Sequence, residues 1–531
     1  MTRRKRPGYT IIAVLIVVVV LSLAAYRFAD SMTSEYAVAV RSSESAESRT
    51  AAASGLHYSI AAVCDPATLD GQLSGNPYDK EQFFANQPLA GTQQSRGGLR
   101  FSIFTIADSG SGAGESRYSA KYGVSDEAAK LNVNSLIKLD PTGNVLHDAL
   151  MKLPNMTEEI ADAIVDWVDG NDTIRPAGAE TAYYSGLPQP YLAKNGPLNS
   201  LDELLFVRDV TPFLLFGNDR NRNGKLDPGE EDGNDLSLGW SAYLTVYGRE
   251  LDADGAGNAR INLNPTAFDT FAADLDTALG TEMATFLMYY KLSGATAAIP
   301  TGISANLSGA SPGTTGAVKA PAASATKTVP GTPAQLAAEV EVMLGKGKAP
   351  TKKLTSIFAL ATLQATLPKA ANAPADAPTV VVLSPLSDPA KRAELLPKLL
   401  DMTTIRTEFE IPPRVNVNTA PSEVLLALPG MTQAYADAIL ANRGNLTPGD
   451  PTTTTGAWLM TTVGMPPETF RSMEKYVTGR TMTYRIQSVG YFGTGGPVSR
   501  VEAVIDTNQG HPRILYFRDL TDLGRGFDLP R

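Results

Sequence analysis

One short segment of the 531-residue chain carries oxygen-bearing side chains at the spacing of a calcium-binding loop. Asp219, Asn221 and Asn223 occupy alternate positions, Gly224 follows them, and Glu230 closes the segment. This order matches the pattern D-x-[DN]-x-[DN]-G-x5-E, in which carboxylate and amide oxygens surround a hard cation and the glycine permits a sharp turn. The segment therefore predicts a Ca2+ site.

Two further residues complete the predicted ligand set. The backbone carbonyl of Lys225 and the side chain of Asp227 occupy the remaining ligand positions of such a loop. The set contains few carboxylates, which favours the weak affinity of extracellular calcium sites. Pro228 and Gly229 disfavour a regular exiting helix, so we expect an isolated calcium loop. A polar surface loop without metal is the alternative.

A second acidic group lies upstream in the sequence. It consists of Asp169, Asn171, Asp172 and Glu180, and Asp166 lies close by. The spacing of these residues follows no known ligand template. A second calcium site and a solvated helix end are therefore both open.

Residues for other kinds of chemistry are few. Cys64 is the one cysteine, which excludes disulfides and thiolate metal clusters within the chain. His57, His147 and His511 are too scattered to suggest a zinc site or a catalytic triad. The chain has 46 basic and 55 acidic residues, a balance that argues against nucleic-acid binding. We expect a protein that is not an enzyme.

A basic stretch followed by an apolar run begins the chain. Four consecutive cations at residues 3–6 precede Pro7 and Gly8, and residues 11–26 are apolar except for Ser22. A membrane-spanning helix needs about 20 such residues and a secretory signal somewhat fewer, so both interpretations fit. In either case the cationic flank would stay in the cytoplasm.

The chain continues beyond this run with helical spacing. Met32, Tyr36 and Val40 recur every four residues, and helix breakers are few up to residue 62. This pattern favours a membrane helix that runs without interruption into an amphipathic stalk over residues 9–62.

The basic start resembles a class III leader, which prepilin peptidase cleaves in type IV pilins and in the pseudopilins of type II secretion. The resemblance places cleavage between Gly8 and Tyr9. Most such proteins carry glutamate at the fifth mature position, where this chain has Ala13. In lacking this glutamate, the chain resembles the general secretion pathway protein K family, whose members are minor pseudopilins.

A short phrase of alternating apolar residues and asparagines occurs three times, at residues 131–134, 261–264 and 415–418. Residues 153–164 and 428–439 also share the pattern Leu-Pro-x-Met-Thr-x-x-x-Ala-Asp-Ala-Ile. Proline followed by a threonine cap predicts hairpins of two short helices, similar to helix-hairpin-helix units. The copies lack the second glycine of DNA-binding hairpins, and the first copy is acidic, so we expect no nucleic-acid partner.

Several ordered blocks between residues 125 and 210 also resemble the K family. The resemblance implies a minor pseudopilin that caps the tip of the periplasmic pseudopilus and helps to initiate its assembly. It implies as partners the H, I and J minor pseudopilins, the major pseudopilin and prepilin peptidase, with a single-pass anchor in the inner membrane. The alternative is a secreted or membrane-anchored calcium-stabilised binding module that contains helix-hairpin-helix repeats.

Alternating apolar residues predict strands on both sides of the helical repeats, such as residues 99–106, 240–247 and 484–491. We therefore expect an α+β fold in which a stalk helix packs on a pilin-like antiparallel sheet with inserted helical modules. The predicted segments are a leader at 1–8, the transmembrane and stalk helix at 9–62, the first part of the sheet at 95–125, a helical insert at 126–215, the calcium loop at 216–235, a strand and second repeat at 236–291, a mobile linker rich in Ala, Gly, Ser, Thr and Pro at 292–335, a helical or irregular region at 336–410, the third repeat at 411–478 and C-terminal strands at 480–520.

Overall fold

The fold is described from a computed structural model. It covers residues 9–89, 95–108, 118–227, 229–230, 238–265, 268, 270–294, 296–298, 328–369, 372–374, 376–447, 450–507 and 511–530. The predicted leader at 1–8 lies outside the described residues, as does the middle of the predicted linker.

A helix of 56 residues, Tyr9–Cys64, begins the described chain and is called the stalk helix below. At about 1.5 Å per residue it is more than twice as long as the hydrocarbon core of a membrane is thick. Its N-terminal half exposes apolar side chains on all sides, whereas buried residues first occur at Glu44. Among the described residues it is the one helix long and apolar enough to cross a membrane.

The C-terminal half of the stalk helix packs on an antiparallel sheet, called the main sheet. Its strands follow the order Gln87–Pro88, Leu99–Asp108, Thr483–Phe492, Ser499–Asp506 and Arg513–Asp519. Tyr118–Tyr122 also pairs with the second of these strands and Ser125–Asp126 with the third. All neighbouring pairs are antiparallel. The predicted α+β fold is confirmed.

The helix and the sheet approach closely because each contributes a glycine to their interface. A Cβ atom at Gly490 would collide with the carbonyl oxygen of Ser48 and the amide nitrogen of Ala52. On the helix side, a Cβ at Gly55 would lie 2.7 Å from the Phe101 ring. Beside this contact, Leu56 packs with Phe101 in an apolar cluster between helix and sheet.

Three helical modules lie between the two central strands of the main sheet, and a short parallel pair closes each of them. The first module runs from Leu131–Asn132 to Leu244–Thr245, the second from Ile261–Asn262 to Thr403–Thr404, and the third from Val415–Asn416 to Val477–Thr478. The opening strand of each module contains the first asparagine of the repeated phrase. The three phrases therefore have the same structural role.

The side chain of the second asparagine in each phrase forms hydrogen bonds with backbone groups that are distant in sequence. Asn134 donates to the carbonyl of Leu198 at 2.9 Å and accepts from the same residue's N–H at 2.8 Å. Asn264 makes the same pair of bonds with Leu354, at 2.9 and 2.8 Å. Asn418 instead donates to the carbonyl of Gly479 at 2.7 Å. Each amide thus fixes a loop of its module.

The α-helices within and around these modules are short. Their bounds are Glu81–Phe84, Val133–Leu139, Asn144–Leu150, Glu158–Val168, Thr181–Ser185, Pro212–Phe216, Phe271–Leu279, Thr281–Ser293, Pro333–Gly345, Pro389–Met402, Ser422–Leu426, Gln433–Asn442, Pro451–Thr454, Trp458–Thr461 and Pro467–Met473. Short 3-10 helices occur at Ser95–Gly97, Glu127–Ala129, Leu201–Phe206, Trp240–Ala242, Ile357–Thr362, Pro385–Ser387, Arg443–Asn445 and Thr521–Leu523, and a short π-helix occurs at Ala67–Gln72.

The remaining strands form a small sheet and one further pair. The small sheet has the order Thr328–Pro330, Thr379–Leu383, Leu363–Thr366 and Thr296–Ala298, and Glu250–Leu251 pairs with Glu410–Ile411. Two of these strands lie within the predicted linker 292–335, so both of its ends are ordered by pairing. Residues 299–327 lie outside the described residues.

One predicted strand is wrong over most of its length. Residues 240–247 alternate like a strand, but Trp240–Ala242 is a helical turn and only Leu244–Thr245 pairs. The reason is burial, because Trp240 and Tyr243 are both inside the core and the Trp240 ring nitrogen donates to the carbonyl of Pro154 at 2.8 Å.

The packing of helix on sheet gives a first prediction. Gly490→Ala should lower the free energy of local opening of strand Thr483–Phe492 by about 1–3 kcal/mol, because the added methyl group meets helix backbone that cannot move aside. Hydrogen exchange of that strand measures the change. Gly444→Ala is the matched control, since no atom lies within 4 Å of its Cβ. Equal exchange in both variants would contradict this packing argument.

Candidate functional site

The predicted calcium loop is folded around the carboxylate of Asp219. This side chain is buried, and it accepts hydrogen bonds from the backbone N–H groups of Asn223 at 3.1 Å and Gly224 at 2.7 Å. Gly224 has a φ of +87°, a backbone conformation that favours glycine. The predicted sharp turn at this glycine is therefore present.

Asp227 lies at the centre of the loop's side chains. Its carboxylate accepts from the amide groups of Asn221 at 2.8 Å and Asn223 at 2.7 Å, and its other oxygen lies 2.6 Å from the Lys225 ammonium. The pKa of Asp227 is lowered overall: burial raises it, but the hydrogen bonds from Lys225 and the two asparagines outweigh that effect. Asp227 is therefore ionised at neutral pH.

Glu230 closes the loop by accepting from backbone N–H groups. One oxygen binds the N–H of Arg220 at 3.0 Å and the other binds the N–H of Asp227 at 3.0 Å. Burial raises the pKa of Asp219 to about 6, and the negative charge of Glu230 adds to this rise. Two of the predicted ligands are thus held close enough to repel each other.

The loop lies on the face of the main sheet opposite the stalk helix. A Cβ at Gly224 would lie 2.8 Å from Ile106, and the Gln487 side chain donates to the carbonyl of Arg222 at 3.2 Å. The guanidinium of Arg500 donates to the carbonyl of Asn221 and is fully buried. Sequence reasoning missed Arg500, because a single arginine in a strand carries no pattern.

The donor chemistry of the loop fits a hard cation. Asp219, Asp227 and Glu230 supply carboxylates and the two asparagines supply amide oxygens. Burial is the main cause of the raised pKa of Asp219, and the charge of Glu230 adds to it. The carboxylates are bonded to N–H groups in the structure, and no three Asp, Glu, His or Cys side chains among the described residues are close enough to hold an ion together. The backbone carbonyl of Lys225 remains a predicted ligand.

The structure brings most of the second acidic group together around Glu180. Both oxygens of this buried carboxylate lack a hydrogen-bond partner among the described residues. Burial raises its pKa to about 7, and the charges of Asp166, Asp169 and Asp172 add to the rise. Burial likewise raises the pKa of Asp166 to about 6. Asn171 joins the group through its backbone N–H, which donates to Asp169 at 3.1 Å.

An arginine that sequence reasoning missed borders this group. Arg175 pairs with the buried Asp162 at 2.6 Å, and its backbone N–H donates to Asp166 at 3.2 Å. The pairing neutralises Asp162, but it leaves Glu180 among carboxylates. An uncompensated buried carboxylate is costly, which agrees with the raised pKa of Glu180.

Comparisons with known proteins agree with the resemblance seen in the sequence. Residues 129–215 match the model of the first domain of type II secretion system protein K. A stretch of 57 residues is 46% identical to type II secretion system protein K of Aeromonas hydrophila. The matched stretch covers 10% of this chain and 17% of that relative. The chain therefore matches about one sixth of the relative's length.

A solved structure also gives a match, with a low TM-score. It is the crystal structure of the GspK-GspI-GspJ complex from the type 2 secretion system of enterotoxigenic Escherichia coli. The match covers 92% of this chain and 98% of the other, with 10% sequence identity and a TM-score of 0.35. This likeness is too loose to place individual residues.

Proposed function

We propose, from the premise that this chain carries the first domain of type II secretion system protein K, that it is a minor pseudopilin. The observation that carries the proposal is the division of the stalk helix. Its N-terminal half is apolar and exposed on all sides, whereas its C-terminal half packs on the main sheet. A subunit of this shape is anchored in a membrane or in a bundle of like helices while its folded part projects into solvent.

The apolar half also supports a position at the tip of the pseudopilus. Residues 9–26 contain no charged side chain, and Ala13 occupies the position where most pilins carry glutamate. In apolar surroundings that carboxylate would serve to neutralise the terminal amine of a neighbouring subunit. A subunit with no neighbour ahead of it has no use for the charge, so its absence favours a capping role that helps to initiate assembly.

The charges around the helix support an orientation in the inner membrane. The four cations at residues 3–6 favour a cytoplasmic N-terminus, which puts the main sheet and the three modules in the periplasm. The protein would act there by assembly and not as an enzyme. Its partners would be the H, I and J minor pseudopilins and the major pseudopilin, after cleavage by prepilin peptidase.

We further propose that Ca2+ is a folding ligand in this compartment. Asp219, Asn221, Asn223, Asp227 and Glu230 would hold one ion together with the Lys225 carbonyl. Asp169, Asp172 and Glu180 form the core of a second candidate site. In both groups a cation would relieve repulsion between carboxylates that the fold has gathered.

Coexpression tests the assembly role. The full chain should co-purify in detergent with the H, I and J subunits, and Ala13→Glu should lower the yield of the complex because its carboxylate meets no amine ahead of it. Ala13→Gln has the same size without the charge and should assemble like the parent. Failure of the parent chain to join the three partners, while they bind one another, would refute the role.

Thermal unfolding tests the calcium proposal. At free Ca2+ about a hundred times the dissociation constant, binding adds about 2.7 kcal/mol, so the chelator EGTA should lower the Tm. Glu230→Gln should remove most of the calcium-dependent rise, measured against the Tm of the same variant in EGTA, because the variant also loses one acceptor for a backbone N–H. Glu394→Gln, an exposed glutamate paired with Lys398, is the control and should keep the whole rise. A full rise in Glu230→Gln would assign the ion elsewhere.

The same experiment has a pH dependence whose sign follows from the raised pKa values. The folded state holds protons on Asp166, Glu180 and Asp219 up to about pH 6–7, above the pKa of free carboxyl groups. Stability in EGTA should therefore fall as pH rises from about 5 to about 7.5. Saturating Ca2+ should reduce this fall. A Tm in EGTA that rises over this range would contradict the electrostatic account.

A further inference from the structure

An open cleft lies where the second and third modules meet the first. Its volume is about 580 Å3, within the usual range for ligand sites. Part of its wall is apolar, formed by Ile357, Phe358, Leu400, Ile405, Ile411 and Phe470. The rest of the wall is mostly charged.

The ion pairs in the wall of the cleft account for only some of these charges. Arg260 pairs with Asp252 at 2.8 Å, and Arg414 pairs with Glu250 through a 3.0 Å bond. In each pair a partly buried arginine meets a buried carboxylate, so these two cations are already neutralised.

Four other cations in the wall have no such partner. Within the described ranges, Lys138, Arg406, Arg471 and Lys475 form no ion pair, although all four line the cleft. Lys138, Arg471 and Lys475 are exposed at the rim, and Arg406 is half-buried. Lys475 donates to the carbonyl of Leu139 at 3.1 Å, which orders its ammonium without neutralising it.

Arg406 can be compared with its counterpart in another module. It follows the closing strand Thr403–Thr404 of the second module by two residues, as Arg480 follows Val477–Thr478 in the third. Arg480 lies 3.6 Å from Asp401 and donates to the carbonyl of Ala253. The guanidinium of Arg406 lacks both kinds of contact among the described residues.

The backbone of Arg406 is nevertheless firmly held. Its N–H donates to the Thr404 hydroxyl at 3.1 Å, and its carbonyl accepts from Asn262 at 3.0 Å. Burial lowers the pKa of Arg406 and the nearby charge of Arg414 adds to this effect, whereas the charges of Glu250, Asp252 and Glu474 oppose it. A partly desolvated guanidinium that forms no ion pair and stands on a firmly held backbone is suited to bind an anion.

The described wall of the cleft contains six cationic side chains and four carboxylates, so an excess of positive charge remains. Glu474 accepts from the Ser356 hydroxyl at 2.5 Å, and burial raises its pKa although the charges of Arg406 and Arg414 oppose the rise. Glu410 pairs with Arg249 at 2.8 Å, and Glu408 is exposed at the rim. The excess is local, because the chain as a whole has a net charge of −9.

We propose that this cleft binds a carboxylate carried on an apolar body. The carboxylate would pair with Arg406, the apolar body would lie against the wall around Phe358 and Phe470, and the rim cations would draw the ligand in. A small organic acid and an acidic side chain of a peptide beside an apolar residue share this chemistry. The proposal does not depend on the pseudopilin role.

Calorimetric titration of the full chain in detergent tests the site and separates the two sources. The probes are phenylacetate and the peptide Ac-Glu-Leu-Glu-amide, with phenylacetamide and Ac-Gln-Leu-Gln-amide as neutral controls. We expect at least one acidic probe to bind about tenfold or more tightly than its neutral control. Binding of phenylacetate supports a small organic acid as the source, and binding of the peptide alone supports a protein segment.

Variants then assign the site. Arg406→Gln should weaken the acidic probe about tenfold, and Arg406→Lys should restore part of the affinity. Arg471→Gln removes an exposed cation without disturbing any described contact, and it should weaken binding about threefold through lost attraction. Lys398→Gln is the control and should bind like the parent, because this side chain is exposed on helix Pro389–Met402 and does not line the cleft. Equal binding of acidic and neutral probes, or parental affinity in both Arg406→Gln and Arg471→Gln, would overturn the proposal.

Discussion

The antiparallel pairing of Leu99–Asp108 with Thr483–Phe492 is the constraint on which the rest of the structure depends. These two strands form the centre of the main sheet and carry the face on which the stalk helix packs, yet all three modules separate them in sequence. The modules must therefore bring the chain back to the main sheet, so that Thr483–Phe492 can pair with Leu99–Asp108. A long loop without internal structure would meet that requirement only at an entropic cost.

The modules meet the requirement in steps. Each one is closed by its own two-residue parallel pair, and its repeated asparagines fix the loops in between. Once the modules have folded, the two sheet strands are joined by a compact structure instead of a free chain. The same logic explains why buried charges collect at the junctions, where Arg260 meets Asp252 and Arg414 meets Glu250.

The predicted calcium loop lies where the first module contacts the main sheet. It follows the helices of the first module and lies on the main sheet, where Arg500 and Gln487 hold its backbone. A charge that neutralises Asp219 and Glu230 would act on the contact between module and sheet as well as on the loop. The stability of the loop and the position of the module are coupled in this way.

Sequence reasoning predicted the features that have a period or a motif. The stalk helix was expected over 9–62 and occupies Tyr9–Cys64, and the sharp turn expected at Gly224 is present, whereas the calcium ligands from Asp219 to Glu230 stay a prediction. The strands that close the modules were missed, because two residues such as Thr403–Thr404 are too few to show alternation. Arg500 and Arg406 were missed for a related reason, since their roles depend on neighbours distant in sequence.

The mature N-terminus of the membrane-inserted protein tests the central claim most directly, because the stalk helix can serve a pseudopilus only if the basic leader has been removed. Intact-mass measurement on the chain coexpressed with prepilin peptidase should give a protein that begins at Tyr9. A chain that begins at Tyr26, after cleavage as a secretory signal, would contradict the account, and so would one that keeps its basic residues.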